Sequence, residues 1–131
     1  MSHYQISIVI MVAISFGVIA AYRRLELLQN VRWQKWFLWF SIGSLFDWAT
    51  TTLCYLMLGD AHDEGNPLAR YLFEQYGFGI GLLIHGSIVT ALMLAVGITL
   101  GKRHAYARLA LLVGMIFRFY ATVANVYLLF S

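Results

Sequence analysis

Asp47 and Arg118 have the strongest claim to chemistry in this sequence, because each sits inside a long apolar run. Asp47 lies in SLFDWATTTLCYL (44–56) and Arg118 in LVGMIFRFYATVANVYLL (112–129). A lone charge at the centre of a bilayer costs about 2.5–3.5 kcal/mol on insertion scales. Such residues normally face a bundle interior and pair. An acid and a base at one depth therefore predict an intramembrane ion pair, serving either as a structural clasp or as the lining of a proton, ion or substrate path. Thr51 follows Asp47 by four residues, Thr122 follows Arg118 by four and Asn125 follows it by seven, so each lies on the face of its charged neighbour. His85 reaches the depth of Thr51 and Asn125 from the opposite direction. A buried imidazole needs partners for its ring nitrogens, which Thr51 or Asn125 could supply; the alternative is a metal or proton-relay role.

Four elements must position these residues. A spanning helix needs about 20 mostly apolar residues, and the windows 4–22, 36–58, 79–100 and 107–130 qualify. They are continuous rather than alternating, which argues against barrel strands. The expected fold is an all-α bundle of four transmembrane helices in one membrane domain covering 1–131. Composition agrees: of 131 residues, 61% are hydrophobic and only 11% charged, where an average soluble domain has roughly 25% charged. Stripes of small residues at fourfold spacing suggest close helix contacts: Ala13, Gly17 and Ala21; Gly43, Asp47 and Thr51; Ser87, Ala91, Ala95 and Thr99; Ala110, Gly114, Arg118 and Thr122.

The charges are sorted by loop. Segment 23–35 carries Arg23, Arg24, Arg32 and Lys35 against Glu26 alone; Lys102 and Arg103 lie in 101–106, and Arg108 just beyond. Segment 59–78 carries Asp60, Asp63, Glu64 and Glu74 against Arg70. The positive-inside rule puts the basic loops in the cytoplasm and both termini and the acidic loop outside. No basic residue precedes the first span, and Arg23-Arg24 follows it, which is the reverse of a secretory signal. Arg24, Leu25, Leu27 and Leu28 allow a short interfacial helix, and Trp33, Trp36 and Trp39 fit the headgroup boundary. The net charge of +3 is explained by this sorting, without nucleic acid.

Within the acidic loop, Asn66-Pro67 initiates a turn. A helix is expected from Pro67 to a stop at Gly77, with Leu68, Tyr71, Leu72 and Gln75 on its apolar face. His62, Asp63, Glu64 and His85 are the candidate metal ligands, although their spacing matches no established metal loop. The single cysteine, Cys54, excludes an intrachain disulfide and a Cys-x-x-Cys site. There is no Walker motif, no Gly-x-Ser-x-Gly and no dinucleotide fingerprint. No second histidine at membrane depth faces His85 as a haem ligand. No cofactor is expected, and an enzyme is the weaker expectation.

Asp47-x-x-Thr50-Thr51, followed by Glu64-x-Asn66-Pro67-Leu68-Ala69, resembles a family of small prokaryotic membrane proteins in which an aspartate–threonine helix precedes a Glu-x-Asn-Pro turn. The resemblance covers residues 45–99. It implies no particular activity, but it does imply that Asp47, Thr51, Glu64 and Asn66 act together. In size the chain also resembles the four-span small multidrug exporters and fluoride channels, whose motifs it lacks.

These features lead to a multi-pass protein of the prokaryotic plasma or inner membrane, with the lipid bilayer and other membrane subunits or further copies of itself as partners. The expected role is a non-enzymatic accessory or assembly subunit. The alternatives are an oligomeric ion- or proton-coupled transporter or channel with a polar path through the bundle, and an intramembrane metal-dependent enzyme.

Overall fold

A computed structural model of the chain describes residues 3–58, 67–101 and 103–130, and among these there are helices and no strand. In chain order they are α1 (His3–Arg24), α2 (Glu26–Gln29), α3 (Trp33–Leu58), α4 (Pro67–Tyr76), α5 (Phe78–Leu100) and α6 (Ala105–Leu129). The fold is all-α. The four long helices cover the four apolar windows. α3 starts three residues before its window, because the Arg32 carbonyl already accepts the amides of Lys35 and Trp36. The interfacial helix expected after α1 is the single turn α2. α5 and α6 are long and apolar enough to cross a membrane. α3, at 26 residues, has the length, but Ser41, Ser44, Asp47 and three threonines dilute its apolar character.

α3 and α6 form the main packing pair and run parallel. Phe40 meets Gly114, Gly43 meets Phe119, and Cys54 meets Asn125, so the register advances in the same direction on both. α5 runs antiparallel to them: Trp33 lies on Gly97 and Gly101, Trp48 on Gly86, and Met93 on Gly114. Glycine is required at Gly86, Gly97 and Gly101, where a Cβ would run into a tryptophan side chain, and it eases the approach at Gly43. A Cβ at Gly86 would stand 2.7 Å from the Trp48 ring, and one at Gly43 would stand 3.1 Å from the Arg118 Cβ. Close backbone approach of this kind is what holds helices together in lipid. α1 lies along α6, and the Tyr22 hydroxyl donates to the Ala105 carbonyl at 2.9 Å.

α4 ends where expected: Gly77 has φ +84°, a left-handed stop that suits glycine. Of the expected apolar face, only Leu72 packs inside the protein. Ala69, Leu72 and Phe73 are buried against α5, whereas Leu68, Tyr71 and Gln75 are exposed. Gly81 decides this, because its bare backbone lets the Leu72 carbonyl approach to where a Cβ would be 2.7 Å away.

Three small-residue stripes also need correction. Ser87, Ala91, Ala95 and Thr99 of α5 are all exposed, and its inward face carries Gly81, His85, Gly86, Thr90, Met93 and Gly97. On α1, Ala13 and Gly17 are exposed, and Tyr22 is the residue buried in the core. On α6, Ala110 is exposed while Ala107 and Leu111 are buried. A strict fourfold step drifts by about 40° per turn at 3.6 residues per turn, so real inward faces alternate steps of three and four.

Apolar side chains such as Phe40, Leu111 and Leu112 fill most of the core, but polar groups are buried among them and much of the outer surface is apolar. Ser44, Asp47 and His85 are buried, while Phe16, Leu56 and Leu83 are each 70% exposed. Large exposed apolar side chains occur along α1, α3, α5 and α6 and far outnumber the buried ones. Exposed apolar surface on this scale, combined with buried charge, marks a surface made for something other than water.

Candidate functional site

Asp47 and Arg118 lie near the middle of α3 and α6, and the parallel register brings them together. Arg118 Nη1 donates to Asp47 Oδ2 at 2.7 Å, with both side chains 12% exposed. That length is typical of a charge-assisted bond. Gly43, one turn before Asp47, lets the Arg118 Cβ come close. The guanidinium also lies 5.6 Å from the centroid of the Phe40 ring, a cation–π contact.

The other carboxylate oxygen is held by neighbours. Thr51 Oγ1 donates to Asp47 Oδ1 at 3.3 Å. Asn125 Nδ2 lies 3.0 Å from both Thr50 Oγ1 and Thr51 Oγ1 and 3.3 Å from Asp47 Oδ1. An amide nitrogen has two protons, so the two hydroxyls take them and the carboxylate contact is the weaker third. Thr50 can accept because its own proton goes to the Phe46 carbonyl at 2.9 Å. The Cys54 thiol donates to the Asn125 carbonyl at 3.3 Å. Both charges and the amide are thus tied into one network across α3 and α6.

His85 is buried on the inward face of α5. Thr122 lies on the same face of α6 but back-bonds to the Arg118 carbonyl at 2.9 Å, so its hydroxyl proton stays within its own helix. Glu64 and Asn66, expected to act with Asp47 and Thr51, lie outside the described residues, as do His62 and Asp63. Pro67 opens α4. Among the described residues no three His, Cys, Asp or Glu side chains converge on a possible metal position.

Sequence reasoning missed the parts played by Thr50, Cys54 and Ser44. Ser44 is 1% exposed, and its Oγ has no partner among the described residues; nor do the buried atoms Thr90 Oγ1 and Trp48 Nε1. Ser15, Ser41, Thr52 and Thr99 instead bond the carbonyl four residues back. The pairings Trp33–Gly97 and Trp48–Gly86 put Ser44 at the level of Thr90. The position of Ser44 one helical step before Asp47 was the available signal.

Phe40 and Leu111 are almost fully buried on the side of the 23–35 and 101–106 connections, with Met93 against Gly114 beside them. Tyr55 stacks on Phe78, centroids 4.1 Å apart, towards the other end. The polar layer is therefore bracketed by apolar side chains. No protein-family model, curated protein or solved structure matches the chain.

Proposed function

We propose that α1, α3, α5 and α6 all cross the prokaryotic plasma or inner membrane, with segments 23–35 and 101–106 in the cytoplasm and both termini and segment 59–78 outside. In this membrane the chain is a non-enzymatic accessory or assembly subunit that docks against other membrane chains or further copies of itself. The observation that carries this reading is the exposed stripe Ser87, Ala91, Ala95 and Thr99 on α5. Small side chains in register let another backbone approach, and in lipid that packing drives association. Thr99 commits its hydroxyl proton to a 2.6 Å bond to the Ala95 carbonyl within its own helix. The buried charges meanwhile are satisfied by one another and by Asn125 and Thr51, so they serve the internal register of the subunit.

The test is the native mass of the protein extracted in mild detergent, compared with Ala91→Leu. Ala91 is exposed, so the larger side chain leaves the fold intact and blocks the stripe. The wild type runs as an assembly and the variant as a single chain. A wild type that is already a single chain contradicts the reading.

A second reading, an ion- or proton-coupled transporter or channel working as an oligomer, is favoured by the Ser44 and Thr90 hydroxyls, which lie at one level and have no partner among the described residues. It requires flux in liposomes that Asp47→Asn abolishes; liposomes no leakier than protein-free ones reject it.

A further inference from the structure

At the end of the bundle opposite α4, the structure gathers positive charge and unsatisfied N–H donors. Arg23 and Arg24 close α1, Arg32 and Lys35 flank the start of α3, and Arg103 precedes α6; all five are exposed. Tyr22 bonded to Ala105, and Gln29 Nε2 bonded to the Tyr22 carbonyl at 2.9 Å, hold the two basic connections together. Among the described residues none of these five cations has an ion-pair partner. Glu26, exposed, is the one acid in that stretch.

Beneath them, three buried donor atoms lack an acceptor among the described residues: Trp33 Nε1, Trp36 Nε1 and Arg108 Nε. Trp33 and Arg108 both pack against Gly101. The Trp33 ring rests on Gly97 and Gly101, and Arg108 Nη1 donates to the Gly101 carbonyl at 3.3 Å. Trp36, 9% exposed, is one turn further along α3 and packs with Tyr22 and Leu109. The parallel helices α3 and α6 both start here with no acid in the first turn, and α6 has no side-chain cap. Every one of these groups offers a proton or positive potential, so the missing partner is an acceptor carrying negative charge.

We infer that this end is a binding site for the phosphate of an anionic phospholipid headgroup, with Arg108 and Trp33 as the buried donors and Arg103, Arg32 and Lys35 as the surrounding cations. An arginine suits phosphate because its planar fork offers several donors at once. An indole N–H beside an apolar ring suits the boundary between headgroup and acyl chain. A lipid fits better than a free anion because the connection that carries Arg32 and Lys35 also carries the exposed apolar side chains Leu25 and Leu27. The site rests on the membrane-spanning reading and is independent of the accessory-subunit role.

The experiment titrates the full chain, purified in neutral detergent, with short-chain phosphatidylglycerol, phosphatidylcholine or inorganic phosphate, and follows Tm and lipid retained in native mass spectrometry. Phosphatidylglycerol is expected to raise Tm and to stay bound, and the other two to do neither. Arg108→Gln weakens phosphatidylglycerol binding about tenfold, as for loss of one charge-assisted contact. Trp33→Phe keeps a ring over Gly97 and Gly101, removes only the N–H, and weakens binding in the same direction. Arg70→Gln, on α4 at the other end, leaves binding unchanged. Equal effects of the two lipids, full effect of inorganic phosphate, or unchanged binding in both Arg108→Gln and Trp33→Phe overturns the inference. None of these outcomes bears on the native mass, so failure here is distinguishable from failure of the assembly reading.

Discussion

Replacing Asp47 by Asn leaves the Arg118 guanidinium buried with no counter-charge, and Arg118→Gln strands the carboxylate in the same way. Breaking one side of a buried pair typically costs about 3–5 kcal/mol. Each single variant is therefore expected to lower Tm sharply in detergent, and the double variant to recover much of the loss, with a coupling of about 2 kcal/mol in the cycle. Asn125→Ala removes the donor shared by Thr50, Thr51 and Asp47, and thermal unfolding should show a loss of about 1–2 kcal/mol. Much of this network is legible in the sequence. A charge in an apolar run demands a partner, and equal residue counts from the ends of two parallel helices put Asp47 and Arg118 at one depth. Thr51 and Asn125 follow from the same face. Thr50 and Cys54 do not: they join only because Asn125 reaches across the interface, and that depends on the azimuth at which α3 and α6 meet.

At the level of the helices, glycine against a large ring is the recurring contact. Gly86 against Trp48 and Gly97 against Trp33 set the distance between α5 and α3. Gly86→Val forces the Trp48 ring outward and is expected to cost about 1–3 kcal/mol by overpacking. Gly17 on α1 has no neighbouring atom within 4 Å of where a Cβ would stand. There, Gly17→Ala should be neutral or stabilise by up to about 1 kcal/mol through helix propensity alone. Both effects are read in the same thermal melts. Helix positions and the stop at Gly77 can be read from apolar run length and turn residues. Which way a small-residue stripe faces cannot. A stripe suits contact with another helix of the same chain and contact with a different chain equally well, and on α5 the stripe lies outside while glycines interleaved with Thr90 and Met93 lie inside.

For the molecule as a whole, large apolar side chains dominate the helix surfaces while an ion pair is buried between α3 and α6, and the two ends differ in charge. α1 and α5 run one way and α3 and α6 the other, so the connections between α1 and α3 and between α5 and α6 share one end, while α4 lies at the other. If all four long helices cross the membrane, those ends face opposite compartments. Cysteine labelling of intact cells tests this most directly. In a Cys54→Ser background, which keeps a donor for the Asn125 carbonyl, single cysteines replace Arg32, Arg103 and Arg70, and a membrane-impermeant maleimide is added. The four-span arrangement predicts labelling of the residue-70 cysteine in intact cells and of those at 32 and 103 only after lysis. Labelling of all three in intact cells, or of 32 and 103 on opposite sides, contradicts it.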